Sequence, residues 1–210
     1  MSGGLDDKAA RLLPQDRAAC MYGGDFVKTI LSLCDLTGTW PKPYADAGYN
    51  VISLDIQRGP EEDIRLLCVD ELPAIHGVLA APPCTHLAGS GARWWEAKGE
   101  AALLEGLALV DACLRIVMAV RPQWWCLENP VGRLVHYLGK PAMMFQPCDY
   151  GDSYTKRTCL WGDFNTDLPK TPCMATDGSK MHLMAPGPKR AELRSVTPPG
   201  FARAFYEVNQ

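Results

Sequence analysis

The segment AAPPCTH, residues 80–86, places a thiol directly after two prolines, at the end of a run of small apolar residues. Two consecutive prolines restrict the backbone and remove two N–H groups, so they stiffen the exit from a strand. A rigidly held thiol suits a nucleophile that must approach an electrophile at a fixed angle, and only the thiolate form attacks. Cys84 is therefore a candidate nucleophile, although a structural role is the commoner one for cysteine.

A carboxylate and an amide, Glu128 and Asn129, follow an apolar run in the segment LENP. A cysteine that works with a carboxylate acid suggests attack on a ring that needs protonation before it accepts a nucleophile. Cytosine meets that requirement: a thiolate adds slowly at C6 unless N3 is protonated or hydrogen-bonded. After addition, C5 can take a methyl group from a sulfonium donor. Cys84 and Glu128 together therefore suggest methylation of cytosine.

A possible nucleoside site precedes these residues. An apolar strand at 29–34, a turn with Gly38, a short helix ending at Gly48 and a strand ending at Asp55 outline a βαβ unit. In such units a glycine lets the backbone approach the ligand, and the acid accepts hydrogen bonds from ribose hydroxyls. One glycine replaces the three of dinucleotide sites, which favours a nucleoside without phosphates, such as S-adenosylmethionine. An ordinary turn with a capping aspartate explains this segment equally well.

Strand and helix patterns alternate along the chain and predict the elements that position these groups. Residues 77–81 and 124–128 are apolar strands, and residues 98–120 repeat apolar side chains every three or four positions, as in a helix. This alternation predicts an α/β fold with a doubly wound, mostly parallel sheet. Ligands bind beyond the carboxyl ends of such strands. The groups at or just past predicted strand ends should therefore converge on one rim: Asp35, Asp55, Cys84 and Glu128.

The same patterns divide the chain into four parts. Residues 1–24 are a polar, Gly-rich leader, and residues 25–162 form the α/β domain, which closes with a strand at 155–162. Residues 163–195 are rich in Pro, Gly, Asp and Lys and are predicted to be a small, irregular insert. Residues 196–210 hold a C-terminal helix, started by prolines, that packs on the α/β domain.

The sequence resembles the cytosine-C5 DNA methyltransferase family, in particular its compact phage and prophage members. The segment DLTGTWPKPYADAGYNVISLDI is similar to the cofactor-binding opening of that family, and APPCTHLAGSGARWW resembles its Pro-Cys loop. LENP resembles its Glu-Asn pair, YTKRTCLWG its arginine-bearing strand and RSVTPPGFARAF its C-terminal helix. The resemblance covers roughly residues 28–162 and the tail. It implies a Rossmann-like methyltransferase fold, S-adenosyl-L-methionine as cofactor, and duplex DNA as partner, with the target cytosine flipped out.

The resemblance also implies residue roles. Cys84 would attack C6, Glu128 would protonate N3, Asn129 would hold the catalytic loop and Arg157 would contact the flipped base or its phosphate. The cofactor pocket would be lined by Asp35, Gly38, Trp40, Asp55, Ile56, Asp63 and Pro82. In that pocket Asp55 would bind the ribose and Asp63 the adenine amine. The substrate would be bound by Pro83, His86, Arg93, Trp94, Lys156 and Arg190.

Three departures from the family pattern bear on the substrate. The opening at residues 34–38 lacks one glycine of the usual Phe-x-Gly-x-Gly, so the cofactor wall differs. The Gln-x-Arg-x-Arg pattern is reduced to Ser153, Thr155 and Arg157, with Lys156 alongside. The insert has only about thirty residues where the family keeps a target-recognition domain. The recognition sequence is then short, a partner supplies recognition, or the substrate is RNA or a free cytidine nucleotide. A non-catalytic nucleic-acid-binding descendant is a further alternative.

Two pairs of tryptophans and three basic residues have alternative roles. Trp94 and Trp95 lie in a Gly/Ser-rich loop, and we expect one to point inward and the other to point outward, where it could stack on a base. Trp124 and Trp125 lie on a predicted core strand and are expected to pack there. The basic residues adjoin the insert and are typical of a solvated surface, but could also hold a nucleic-acid backbone: Lys189, Arg190 and Arg194.

Composition limits the other function classes. The net charge of −3 gives no general attraction to a polyanion, but residues 151–210 carry eight Lys or Arg against six Asp or Glu, so nucleic-acid contacts should be local. The nine cysteines are irregularly spaced without a CxxC, which argues against a disulfide scaffold or zinc ribbon. A set of Cys148, Cys159, Cys173 and His182 fits no common metal spacing, so no metal is expected. Without a long apolar run or signal segment, we expect a cytoplasmic monomer with no membrane contact.

Overall fold

The computed structural model describes residues 27–179, 187 and 190–210, so the predicted leader lies outside the described residues. Its centre is a six-stranded sheet in the order β2-β1-β3-β4-β6-β5. The first four strands are mutually parallel, and β6 runs antiparallel to both of its neighbours. The strands are β1 (Thr29–Leu33), β2 (Asn50–Leu54), β3 (Gly77–Ala80), β4 (Trp124–Pro130), β5 (Met143–Phe145) and β6 (Thr158–Asp163).

Within the described residues, five α-helices connect and cover these strands: α1 (Lys42–Asp46), α2 (Trp95–Val120), α3 (Val135–Leu138), α4 (Arg190–Ser195) and α5 (Pro199–Val208). Helix α2 begins three residues before its predicted start, because a 3-10 turn at Gly89–Trp94 leads directly into it. Gly99, with a φ of +71°, separates the first turn of α2 from the rest. A left-handed backbone angle of this kind is accessible to glycine at little cost.

Alternate side chains of the central strands enter two separate cores, one on each face of the sheet. Leu31 and Val78 pack with Ile116 of α2 on one face. Ile30 and Leu79 of the same two strands pack with the C-terminal helix α5 on the other. Because side chains alternate across a strand, a sheet that is apolar at every position must be covered on both faces. The predicted doubly wound α/β fold is confirmed.

Helix α5 is held against the sheet by aromatic rings. Phe201 stacks on Phe145 of β5 with ring centroids 3.9 Å apart and planes 7° apart. Gly200 lies so close to the Tyr150 carbonyl that a Cβ atom would be 1.7 Å from that oxygen. The close approach therefore requires glycine at this position.

Two features of the second half of the chain differ from the sequence-based expectation. Strand β6 is antiparallel to β4, and the short strand β5 completes the edge beside it. The insert is not wholly irregular, because α4 lies within its predicted range. None of the helices in the described parts of the chain is long and apolar enough to cross a bilayer.

Candidate active site

A cavity of about 350 Å³ lies beside Cys84, at the edge of the sheet where β3 and β4 end and β6 begins. Its wall combines a thiol, hydroxyls, apolar groups and three cations. The residues that form it are Cys84, Ala88, Ser90, Pro130, Val131, Gln146, Thr155, Lys156, Arg157, Ser179 and Arg194. The cavity therefore has the position predicted for a ligand site, beyond the carboxyl ends of parallel strands.

The loop that carries Cys84 is fixed at both ends of its turn. The Cys84 carbonyl accepts hydrogen bonds from the Leu87 and Ala88 N–H groups, at 3.0 and 2.8 Å. Just before the thiol, the Pro82 carbonyl accepts a 2.9 Å hydrogen bond from Asn129 Nδ2. Asn129 is fully buried, so this bond is shielded from water and ties the exit of β3 to β4. Pro83, predicted to bind substrate, is exposed beside the thiol.

The Glu128 carboxylate forms an ion pair with Lys156, which lines the cavity. Lys156 Nζ lies 3.6 Å from Glu128 Oε1, and the two side chains are only 12% and 15% exposed. Lys156 Nζ also donates a 3.2 Å hydrogen bond to the Arg194 carbonyl. This one ammonium group therefore links the candidate acid to the end of α4.

The environment of Cys84 has opposing effects on its thiol. Burial raises the pKa above that of an ordinary cysteine, Lys156 lowers it, Glu128 raises it and Arg194 lowers it, with burial the largest effect. The net direction is upward, so the thiol is protonated at neutral pH in the empty cavity. Nucleophilic attack by Cys84 therefore requires loss of a proton when substrate binds.

The residues after β1 form a tight, polar turn. The Asp35 carboxylate accepts hydrogen bonds from Ser32 Oγ and Thr37 Oγ1, both at 3.1 Å, and from the Gly38 N–H at 2.9 Å. Gly38 has a φ of +63°, and no atom lies within 4 Å of where its Cβ would stand. The backbone at Gly38 is thus open to a ligand, as a nucleoside cradle requires.

The end of β2 is fixed by an ion pair. Arg58 and Glu62 approach to 2.7 Å, and Glu62 accepts a 2.9 Å hydrogen bond from the Asp55 N–H. Arg58 also donates to the Asp35 carbonyl at 3.3 Å, so it joins the ends of β1 and β2. Next to the buried Asp55, Ile56 is 48% exposed. A carboxylate beside an exposed apolar side chain fits a ribose hydroxyl pair and an adenine ring, so these residues fit S-adenosylmethionine.

Two predicted site residues are placed elsewhere by the structure, and a third is already paired with another side chain. Trp40 was predicted to line the cofactor pocket, but it has no exposed surface and packs between Phe201 and Phe205 of α5. Its indole completes the core because the chain after Gly38 turns under the sheet edge. His86 was predicted to bind substrate, but it faces α2, with Nε2 3.6 Å from Glu105 and Nδ1 3.5 Å from Lys98. The prolines turn the loop so that Cys84 enters the cavity and His86 does not.

Asp63, the third of these, was predicted to meet the adenine amine. Both of its carboxylate oxygens are engaged by Arg65, with the shortest contact at 2.7 Å. That guanidinium lowers the pKa of Asp63, so the carboxylate is ionised and already paired. The pairing leaves it poorly suited to accept an additional hydrogen bond from adenine.

The remaining predicted substrate residues differ in their relation to the cavity, and neither Arg93 nor Trp94 is among the described residues that form its wall. Arg157 and Lys156 line it, and Trp94 is 54% exposed with the Arg93 guanidinium 5.1 Å from its ring centroid. Trp95 turns inward under Arg133, which lies 4.3 Å from its ring centroid, so the expectation of one outward and one inward tryptophan is confirmed.

Trp124 and Trp125 pack in the two cores, as predicted. Arg190 begins α4, but its side chain lies outside the described residues. Among the residues that the structure describes, no group of three or more side chains could hold a metal ion, and His182 is not among them.

Sequence reasoning missed three polar residues of the cavity wall: Ser90, Gln146 and Ser179. Ser90 had a usable signal, because it lies six residues after Cys84 in a Gly/Ser-rich loop. Gln146 and Ser179 had none, since each reaches the cavity only through the packing of distant segments.

A comparison with known protein sequences agrees with the motifs. A protein of Frog virus 3 (isolate Goorha), named "Probable DNA (cytosine-5)-methyltransferase", is 32% identical over 104 residues, which cover 45% of this chain and 49% of that protein. The resemblance to the cytosine-C5 methyltransferase family is confirmed. This chain is also similar to a crystal structure of a candidate DNA modification methyltransferase, encoded within an E. coli prophage. The TM-score is 0.47 and the sequence identity 16%, and the match covers 70% of this chain and 51% of that one.

This chain therefore spans about half the length of the methyltransferases it matches. No family model matches the sequence.

Proposed function

We propose that this protein transfers a methyl group from S-adenosylmethionine to C5 of cytosine in DNA, through a covalent bond between Cys84 and C6. One observation carries the proposal: the Cys84 thiol lines the same cavity as Lys156, which holds the Glu128 carboxylate at 3.6 Å. A nucleophile and an acid at adjacent strand ends are what addition to a pyrimidine requires. The similarity to a viral cytosine-C5 methyltransferase supports the same chemistry.

In the proposed mechanism the Glu128 carboxylate, ionised at rest beside Lys156, takes up the proton of the Cys84 thiol through water, and the sulfur then bonds to C6. As the C5–C6 double bond opens, Glu128 in its acid form donates a proton to N3, which neutralises the charge that develops on the ring. Lys156 keeps Glu128 in place before the base enters and lowers the pKa of Cys84. After methyl transfer, water takes the C5 proton and the Glu128 carboxylate takes back the N3 proton, so that the thiolate leaves and the aromatic ring is restored.

The groups after β1 and β2 would hold the cofactor. Asp55 would accept hydrogen bonds from the ribose hydroxyls, the open backbone at Gly38 would lie against the cofactor, and Ile56 would cover the adenine ring. S-adenosylmethionine, when bound, supplies the methyl carbon that C5 of the ring attacks.

Cys84 is only partly exposed, at the wall of a cavity rather than on an open surface, so a cytosine within a duplex has to leave the base stack to reach it. A cavity of about 350 Å³ has room for one pyrimidine nucleotide. The exposed indole of Trp94, held by Arg93, could fill or cap the space that the extruded base leaves.

The test measures methyl transfer from radiolabelled S-adenosylmethionine to duplex DNA, RNA and dCMP in parallel. In addition, DNA from cells that express the protein is sequenced to locate 5-methylcytosine. We expect labelled duplex DNA, no transfer by Cys84→Ser, and a stable adduct with 5-fluorocytosine DNA, because fluorine cannot leave as a proton does. Full transfer by Cys84→Ser would rule out the covalent mechanism. Cys173→Ser, which changes an exposed thiol away from the cavity, is the matched control.

The short insert favours a second candidate, the same chemistry on RNA or on a free cytidine nucleotide. About thirty residues follow β6 before the C-terminal segment, too few for a recognition domain of ordinary size. Label in RNA or dCMP but not in duplex DNA would establish this candidate. Label in DNA only after a second protein is added would indicate that a partner supplies recognition.

A further inference from the structure

Three cations line the cavity, and they are not equivalent. Lys156 is neutralised by Glu128, but neither Arg157 nor Arg194 forms an ion pair with a carboxylate among the described residues. An unpaired guanidinium in a cavity wall keeps all of its donors available for an incoming anion. The chain as a whole has a net charge of −3, so this positive charge is local.

The backbone of Arg194 is held in place by Lys156. Its carbonyl accepts the 3.2 Å hydrogen bond from Lys156 Nζ, which in turn contacts Glu128. The guanidinium is close enough to the thiol to lower the pKa of Cys84. Helix α4, inside the short insert, therefore contributes a cation to the same space as the nucleophile.

The other surfaces of the cavity suit a nucleotide. Ala88, Pro130 and Val131 are apolar and can lie against the face of a base or sugar. Hydroxyl groups of three further residues can accept or donate hydrogen bonds at the rim: Ser90, Thr155 and Ser179. A base alone would give the two guanidinium groups no anion to bind.

We infer that Arg194, beside the Arg157 that the family resemblance already implies, binds the phosphate of the target cytidine, so that the cavity accepts a whole nucleotide and not only its base. The inference rests on the proposed function and extends it to Arg194. Guanidinium groups match phosphate oxygens with two parallel donors, and such charge-assisted bonds are about twice as strong as neutral ones. The phosphate is that of a DNA strand or of a free nucleotide, and the experiment below separates the two.

The test uses duplexes with 5-fluorocytosine in the motif found by sequencing. One duplex has natural phosphates, and the other has uncharged methylphosphonates on both sides of the target. We expect the wild type to bind the natural duplex about tenfold more tightly. Arg194→Gln should lose much of that preference, because Arg157 alone then remains to bind the phosphate. Arg203→Gln, an exposed arginine of α5 outside the cavity wall, is the matched control and should keep the tenfold preference.

The inference is wrong if the wild type does not distinguish the two duplexes, or if Arg194→Gln keeps the full preference. The proposed function fails separately, if no covalent adduct forms with either duplex. Binding of dCMP and deoxycytidine is measured in parallel. The phosphate would be that of a free nucleotide if the wild type binds dCMP more tightly than deoxycytidine, loses this difference in Arg194→Gln, and does not bind the duplex. Thermal unfolding of each variant identifies any loss that comes from misfolding.

Discussion

At the scale of single residues, the environment of Cys84 makes its thiol harder to ionise than an ordinary cysteine. Burial raises its pKa, while Lys156 and Arg194 oppose that rise. Protonation at rest protects a nucleophile from oxidation and alkylation, because only the thiolate reacts quickly. Reactivity should then depend on the charges around the sulfur and on pH.

Removing the positive charge of Lys156 should make Cys84 still less reactive. Lys156→Gln takes away a group that lowers the thiol pKa, so alkylation should begin to accelerate at a higher pH than in the wild type and be slower at any fixed pH below the thiol pKa. The measurement is iodoacetamide labelling of the Cys84 peptide by mass spectrometry across pH 6 to 10. Lys170→Gln, exposed on the insert, should leave the profile unchanged. An unshifted profile in Lys156→Gln would contradict this account.

Asn129 connects two strands through one buried hydrogen bond. Asn129→Ala leaves the Pro82 carbonyl without its donor in a dry environment, which should lower the free energy of unfolding by about 1–3 kcal/mol. Urea unfolding measures the change. Asn50→Ala also removes a side-chain hydrogen bond, to Thr29, but at an exposed position, and should cost less than the buried change. Equal losses would show that burial of the Asn129 bond does not matter.

At the scale of elements, the ends of β1 and β2 are held together by the Arg58–Glu62 pair. The pair holds the Asp55 backbone and the Asp35 carbonyl at the same time. Neither residue was singled out from the sequence, since a surface ion pair four residues apart usually stabilises little. Here the pair determines where the two predicted cofactor-binding loops lie.

Breaking this pair should weaken cofactor binding more than it weakens the fold. Arg58→Ala frees both loops, so the dissociation constant for S-adenosylhomocysteine, measured by calorimetry, should rise by roughly three- to tenfold, about the effect of 1 kcal/mol. Lys42→Ala breaks another ion pair with the same spacing, with Asp46 on α1, and should have no effect. Unchanged affinity in Arg58→Ala would mean that the loops hold their positions alone.

The same pair has a predictable pH dependence. In the folded state, the hydrogen bond that Glu62 accepts from Arg58 lowers the pKa of the Glu62 carboxyl group. A carboxylate whose pKa falls on folding stabilises the protein at pH values above its unfolded pKa, and that contribution is lost as the pH falls through the folded value. Urea unfolding between pH 3 and 7 should therefore show a smaller acid loss in Glu62→Gln than in the wild type. An identical loss in both proteins would contradict the prediction.

At the scale of the whole molecule, the C-terminal helix packs against two segments that are far apart in the sequence. Phe201 contacts Trp40 after β1 and Phe145 on β5. Phe201→Ala removes a fully buried ring and should lower the free energy of unfolding by about 3–5 kcal/mol in urea. Met144→Ala, an exposed change on the same strand as Phe145, should cost far less. A loss below 1 kcal/mol for Phe201→Ala would show that α5 contributes little to the core.

Much of the fold could be predicted from local patterns. The apolar runs at β1, β3 and β4 and the periodicity of α2 identified the central elements, because buried parallel strands and amphipathic helices leave strong signals in sequence. Strand β5, with three residues, left no such signal. The antiparallel pairing of β6 was also missed, since strand direction depends on how the chain returns to the sheet.

The sequence by itself determined which chemical groups are candidates for the site: the thiol after two prolines, the carboxylate and amide of LENP, and their placement at the ends of parallel strands. These features follow from residue types and from the order of neighbouring residues, both of which can be read from the sequence without the fold. Only the tertiary structure decided which neighbours share the cavity with Cys84. It placed Arg194 there and turned His86 and Trp40 away, because such contacts join segments far apart in the chain, whose distance depends on packing rather than on sequence spacing.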